Sequence, residues 1–340
     1  MLHEAFTFER LLHAHNLCRC NKQHKRDTII FEVNLSQNLT ELSKSLLNFT
    51  YKLGEYKQFY IFEPKKRNIE ALSYKDRVVL MALTKNIIAP KLDKKLIYDN
   101  VACRKNKGTL FGLKRLNQFL HSFYNIHKNN QGYFLKCDIK KYFQSINHNV
   151  LKELLLKANF DAEELSFLNM IIDSRNKKQG VGLPIGNQTS QWFALYYLNM
   201  IDRLIKEKLK IRYYVRYMDD MILVHESKEY LKYCKQEIEK VCKEKLLLEL
   251  NHKTQISKLS NGIDFLGFRN ILLDNGKVIR LLRLQAKIKL KKRIKLMSKY
   301  KKIGLINNAY IKIRLNSYKA HLNYSHSNKI YRIFVNKYKI

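Results

Sequence analysis

Three aspartates stand out in a 340-residue chain that carries 65 Lys+Arg against 29 Asp+Glu, a formal net charge of +36. Asp138 lies within an alternating stretch, GYFLKCDIKKYF, that reads as a β-strand flanked by lysines. Phe134, Lys136 and Asp138 share one face, and Tyr133, Leu135 and Cys137 the other. Asp219 and Asp220 stand together at the tip of a hairpin read in IRYYVRYMDDMILVHES, between two arms rich in strand-forming residues. Acidic turn tips are common, so the pair alone only suggests a site. If adjacent strands of one antiparallel sheet gather all three carboxylates, their charges repel unless cations intervene. Two Mg²⁺ ions roughly 3.5 to 4 Å apart would neutralise the cluster, activate an attacking 3′-hydroxyl and shield a leaving pyrophosphate. Mg²⁺ suits this because it is a hard ion that completes its shell with phosphate oxygens. The chemistry implied is nucleotidyl transfer.

The surrounding composition agrees with a polyanionic substrate. So large a positive charge points to nucleic acid or an anionic membrane. Membrane is set aside, because the chain holds no run of about 18 apolar residues, and its start, MLHEAFTFERLLHAHN, shows no secretory pattern. A hydrophobic content of 46% is enough for a multi-lobed globular protein. Cys18, Cys20, Cys103, Cys137, Cys234 and Cys242, with no leader, fit a reducing cytoplasm better than a disulfide framework. The cluster His13, His15, Cys18, Cys20 and His24 has a C-x-C spacing too short for the usual zinc pair, and no second pair follows. It reads as a basic helix and loop.

The elements that must position the carboxylates follow from hydrophobic spacing. Residues 7 to 20 and 35 to 49 read as amphipathic helices, the second with Leu42, Leu46 and Phe49 on one stripe. YKQFYIFEP reads as a strand closing on Pro64, and YKDRVVLMALTKNIIAP as a helix stopped by Pro90. HNVLKELLLKANF and QWFALYYLNMIDRLIKEKLK read as helices. After the acidic hairpin come a helix over about 227 to 246, a strand at LLLELN, a turn at Asn261-Gly262 and further strand at IDFLGFRNILL. The last 60 or so residues read as helical, and residues 280 to 302 carry 11 Lys/Arg around a stripe of Leu290, Ile294 and Met297. That charge density is expected to track a phosphate backbone. Gly180, Gly182, Pro184 and Gly186 form a bent loop in a chain with only 11 glycines and 3 prolines.

These stretches carry a resemblance to a known family. YMDD at Tyr217 to Asp220, preceded by YVR, resembles the signature hairpin of reverse transcriptases, and KCDIKKYFQSI resembles their first aspartate motif. IFEPKKRNIEALSYKDRVV looks like the fingers motif and VACRKNKGTLFGLKRL like the next. LELNHKTQI is similar to the lysine-bearing motif, and FLGF to the primer grip. The match runs from about residue 25 to 335. It implies an α+β right-hand polymerase with fingers, an antiparallel-sheet palm and a helical thumb. The implied boundaries are a helical extension over 1–54, fingers over 55–135, palm over 136–270 and basic thumb over 271–340. The helical region 150–180 and the loop 180–191 would border the fingers.

The resemblance also implies roles. Asp138 and Asp219 would hold the metals with the Ile139 carbonyl, and Asp220 would support them. Lys65 and Arg67 would hold the triphosphate, Phe143 would exclude a 2′-hydroxyl, and Lys253 would donate a proton to pyrophosphate. Ile185 and Gly186 would lie against the nascent base pair. Arg104, Gln191, Tyr217, Phe265, Leu266, Gly267, Lys292 and Arg293 would bind primer and template. The partners implied are an RNA template, a DNA or RNA primer and dNTPs.

Many relatives place a glutamine before the loop glycine and end the loop in Ser-Pro, whereas this chain reads LPIGNQTSQ. That form resembles the reverse transcriptases of diversity-generating retroelements, which misread template adenines and work with a small accessory barrel protein. Ile185 offers only dispersion contact where a polar side chain would reward correct geometry. Antiviral defence-associated and retron-type enzymes share most of these motifs and remain the alternative, and an inactive RNA-binding scaffold is a third reading.

Overall fold

The computed structural model describes residues 2–62, 66–175 and 180–338. Two compact units emerge, each assembled from separate stretches of chain. The first takes residues 1–105, 138–210 and 236–252, and the second takes 106–137, 211–235 and 253–340.

The first unit opens with helix Phe8–Arg19, capped by the Thr7 hydroxyl, which buries Leu11, Ala14, His15 and Cys18 at i, i+3, i+4 and i+7. Helix Arg26–Val33 was not legible in the sequence, because it buries only Thr28 and Phe31. Helix Leu35–Leu47 buries Leu39, Leu42 and Leu46 as spaced. Phe49 is a correction: it lies past the helix end with a positive φ of 56° and is 64% exposed. Next comes an antiparallel hairpin of β1 (Lys57–Ile61) and β2 (Arg67–Ala71), with Gln58 opposite Glu70. Pro64, the expected end of the first arm, lies outside the described residues.

Pro90 does not stop the helix that starts at Tyr74. A π turn at Thr84–Ile88 carries it into Ala89–Asp93, with Pro90 in the opening turn of that last segment. Proline removes an N–H and its ring crowds the preceding turn, and the π turn is where the hydrogen-bond ladder already changes register. Helix Gln188–Tyr197 buries Trp192, Phe193, Ala194, Leu195, Tyr196 and Tyr197 in succession, the pattern of a helix packed all round rather than on one stripe. Burying side chains of the size of Phe193 and Leu195 contributes about 1.5–3 kcal/mol each.

The expected strand LLLELN is a second correction. Leu247 adopts φ 52°, and Leu248 donates its amide to Cys242, so the first half of that stretch terminates helix Lys228–Lys245. What remains of the strand is a single bridge between Leu250 and Ile139.

The second unit is built on a four-stranded antiparallel sheet in the order β4 (Tyr213–Tyr217), β5 (Asp220–His225), β3 (Tyr133–Cys137), β6 (Gln255–Lys258). Tyr214, Val215, Leu135, Leu223 and Val224 are buried within it. Helix Thr109–His127 packs on it through Phe119 and Phe123, whose rings lie 5.8 and 6.2 Å from that of Tyr213. IDFLGFRNILL is not one strand but a hairpin, β7 (Ile263–Phe265) and β8 (Phe268–Leu272), extended by β9 (Val278–Leu282). Leu266 and Gly267, with φ 47° and 90°, supply the two positive φ values a tight I′ turn demands.

Helices Leu284–Lys302, Asn308–Leu322 and Asn328–Tyr338 complete this unit, the first burying Leu290, Ile294 and Met297 as its spacing requires. Arg280, counted with the phosphate-tracking run, serves the fold instead. Its guanidinium donates to Asn270, Tyr324 and Leu113 at 2.9 to 3.0 Å.

Candidate active site

The acidic hairpin forms as expected, and its turn is strained. Tyr217 pairs with Asp220, leaving Met218 and Asp219 as the two turn residues. Met218 takes φ 54°, a conformation that costs a non-glycine residue of order 1 kcal/mol or more. Arg216, fully buried on β4, donates to the Met218 carbonyl at 3.0 Å and holds the turn from beneath. The result is a tight tip that presents a half-exposed Asp219.

Asp220 begins β5 and meets Lys136 of β3, whose ammonium lies 3.1 Å from its Oδ1. The same ammonium donates to the Asp264 carbonyl at 2.6 Å. No role for Lys136 was legible beforehand. Its signal was a lone lysine in a strand otherwise made of Tyr, Phe, Leu and Cys. The Lys136 ammonium therefore holds the Asp220 carboxylate in place by an ion pair.

Asp138 lies in the first unit, one residue beyond Cys137, the strand residue that pairs with Met221. Its carbonyl accepts the Asn251 amide at 2.7 Å, and its Oδ2 accepts the Asn251 side-chain amide at 3.0 Å. Ile139 is buried and bridges Leu250, and Lys140 donates to the Glu249 carbonyl. Asn251 is thus a second residue that sequence reasoning passed over, though it sits inside a quoted motif. Among the described residues, no group of three or more His, Cys, Asp and Glu side chains is assembled to hold a metal. In the His13/His15/Cys18/Cys20/His24 segment the residues are engaged or placed separately. His15 is buried between Tyr74, at 3.1 Å, and Glu32, at 3.3 Å, while Cys20 is exposed.

Also in the first unit, Phe143 on the short helix Tyr142–Ser145 is bound to the glycine loop, since its carbonyl accepts the Leu183 amide at 2.7 Å. The Gly182 amide donates to Ile146, and the Gly182 carbonyl meets His148 Nε2 at 2.9 Å. Ile185 accepts the Glu70 amide at 3.0 Å, which ties the loop to β2. The glycines serve the chain's own packing. A Cβ on Gly186 would stand 2.7 Å from the Glu70 carbonyl oxygen, and one on Gly182 would strike the Arg175 guanidinium.

The reverse transcriptase (RNA-dependent DNA polymerase) family model matches residues 39–270 of the chain. The chain belongs to the reverse transcriptase family. Two structures of apo telomerase from Candida tropicalis, one truncated from its C-terminal domain, are similar to it, as is telomerase from Candida albicans in complex with a fragment of telomeric RNA. The truncated enzyme superposes with a TM-score of 0.51 at 18% identity, over 66% of this chain and 54% of its own. For the Candida albicans enzyme the values are 0.50, 13%, 79% and 54%, and for the longer Candida tropicalis chain 0.51, 16%, 67% and 48%. This chain therefore spans about half the length of those telomerases. Likeness at such identity establishes the fold, a right-hand polymerase of mixed helix and antiparallel sheet. No curated protein matches the chain.

In this reverse transcriptase the residues expected at nucleotide, primer and template are placed as follows. Arg67 is exposed at the start of β2, and Lys65 lies outside the described residues. Lys253 is exposed just before β6, and Tyr217 is half-buried at the end of β4. Gln191 is exposed, with the Cys103 thiol 3.1 Å from its Oε1. Lys292 and Arg293 lie on the outer side of helix Leu284–Lys302.

Two of these residues are taken up within the fold. The Phe265 ring is fully buried, while Leu266 is half-buried and Gly267 exposed at the turn. Arg104, with a side chain only 9% exposed, pairs with Asp93 and donates to the carbonyls of Ile97 and Asn100 at 2.6 and 3.0 Å. It clamps the turn after helix Ala89–Asp93.

Proposed function

We propose that this chain is an RNA-directed DNA polymerase that extends a DNA or RNA primer on an RNA template with dNTPs. The observation that carries the reading is the tight YMDD turn in a reverse transcriptase fold, with Asp219 at its tip and its β5 arm in register beside the strand that leads into Asp138. Asp138 and Asp219 are half-exposed carboxylates, the first held by the Asn251 side chain. Hard oxygen donors of this kind suit divalent cations, and Mg²⁺ in particular. When bound, two such ions would favour ionisation of the primer 3′-hydroxyl and offset charge on pyrophosphate.

The chain's own residues would then divide the remaining work. Lys136 keeps Asp220 in place, Asn251 orients Asp138, Arg67 meets the triphosphate, and Phe143 lies beneath the sugar. The polymerase subdivisions proposed are fingers over 55–135, palm over 136–270 and thumb over 271–340. Asp219→Asn should lower primer extension by roughly 10³-fold or more while leaving primer-template binding intact. Extension at the wild-type rate would sink the metal assignment.

We further propose the diversity-generating subtype, in which adenines of the template are misread and a small barrel protein assists. The support is Ile185 in the I-G-x-x-x-S-Q loop, an apolar side chain held half-exposed by its carbonyl bond to Glu70. Sequencing cDNA made in the native host tests this directly. Errors concentrated at template adenines sustain the subtype, and faithful copies of a structured noncoding RNA would assign the chain to the retron or defence class.

A further inference from the structure

The glycine loop is coupled to the β1–β2 hairpin by more than one backbone bond. Glu70, on β2, is nearly fully buried, and its carboxylate lies 2.7 Å from Nε of Arg175 and 3.3 Å from its terminal nitrogen. Arg175 is itself only 17% exposed and fills the space that a side chain at Gly182 would need. The backbone of the same Glu70 faces the loop twice. Its amide donates to Ile185, and its carbonyl closes against Gly186.

A neutral linkage runs alongside. Asn187 donates to the Tyr56 hydroxyl at 2.9 Å, and that hydroxyl lies 3.1 Å from Ser174 Oγ, one residue before Arg175. A buried carboxylate and a largely covered guanidinium repay their desolvation only through fixed geometry, so a pair so placed sets the position of both segments it joins.

We propose that Glu70 and Arg175 are positioning residues that set Ile185 and Gly186 against the incoming nucleotide, and so govern nucleotide affinity and base selection. The proposal rests on the reading of the chain as a polymerase whose 180–191 loop borders the nascent pair. Neither side chain need touch substrate. A displacement of the loop by a fraction of an ångström changes the fit of the nucleotide but leaves the carboxylates of the YMDD turn where they are.

The test uses the full-length chain with Glu70→Gln, which keeps the shape and removes the charge, and Arg175→Lys, which keeps the charge and removes the fork. Single-nucleotide extension on an RNA template gives kcat and KM for correct and incorrect dNTPs. Amide hydrogen exchange of Glu70, Gly182 and Leu183 reports the clamp without substrate. The expected result is faster exchange at these amides, KM for the correct dNTP raised roughly tenfold, kcat within about threefold of wild type, and a changed ratio of incorrect to correct insertion. Primer-template affinity should not change.

Should Glu70→Gln fail to fold, Arg175→Lys decides alone. Faster exchange with unchanged KM and insertion ratio would reduce the pair to a structural role and overturn the proposal. A wild-type chain that extends no primer would instead overturn the polymerase reading, a result distinguishable because it precedes any substitution.

Discussion

Met218 sits with φ 54° at a turn position where glycine is the easy choice, and Arg216 beneath it is buried to hold the turn. A strained backbone kept at an acidic tip persists where position matters more than stability. The three aspartates also differ in what surrounds them. Asp220 is matched by Lys136, Asp138 is oriented by Asn251, and Asp219 stands at the tip itself. Residue types and spacing announced all three acids, but neither partner, because ion pairs across strands depend on register. Phe143 is half-buried on a single helical turn, its backbone bound to Leu183. If its ring bars a 2′-hydroxyl, Phe143→Ala should raise ribonucleotide incorporation roughly tenfold or more relative to deoxynucleotide. An unchanged rNTP/dNTP ratio in competition assays would remove the gate assignment.

Among the elements, those with one clean hydrophobic period were legible: helices Phe8–Arg19, Leu35–Leu47 and Leu284–Lys302, and the two arms of the YMDD hairpin. Where tertiary context outweighs local pattern the sequence misled, as in LLLELN, half of which closes a helix through Leu247, and in the helix that continues past Pro90. The packing of helices Phe8–Arg19 and Arg26–Val33 yields a prediction at this scale. Burial holds His15 below the ordinary imidazole range, with the Glu32 carboxylate opposing. A histidine depressed in the folded state stabilises fully above its unfolded pKa, near 6.5, and that stabilisation is lost as pH falls through the folded value. Urea midpoints should therefore drop between about pH 8 and about pH 5, and His15→Gln should flatten that drop. An identical pH slope in the variant would show that other groups carry it.

For the molecule as a whole, a net charge of +36 means that affinity for primer-template should rest on phosphate contacts. Binding should weaken by about 10³-fold or more between about 50 and about 200 mM salt, measured by fluorescence anisotropy. A flat salt response would contradict the nucleic-acid assignment of the basic helices. Lys292→Ala with Arg293→Ala should make the slope of log affinity against log salt shallower by roughly two. Arg280→Ala should act on stability instead, because its donors hold Asn270, Tyr324 and Leu113.

The amino-acid sequence by itself pointed to a polyanionic partner and determined the acidic hairpin, the order of the motifs and the bend at Gly180 to Gly186, all of which follow from composition and short-range spacing. The tertiary structure decided which charges meet. It paired Lys136 with Asp220 and Glu70 with Arg175, withdrew Arg104 and Arg280 into the fold, and turned the loop glycines against β2 and Arg175. A side chain's partner is set by strand register and by packing between segments more than 100 residues apart, as Glu70 and Arg175 are. No local pattern encodes that distance.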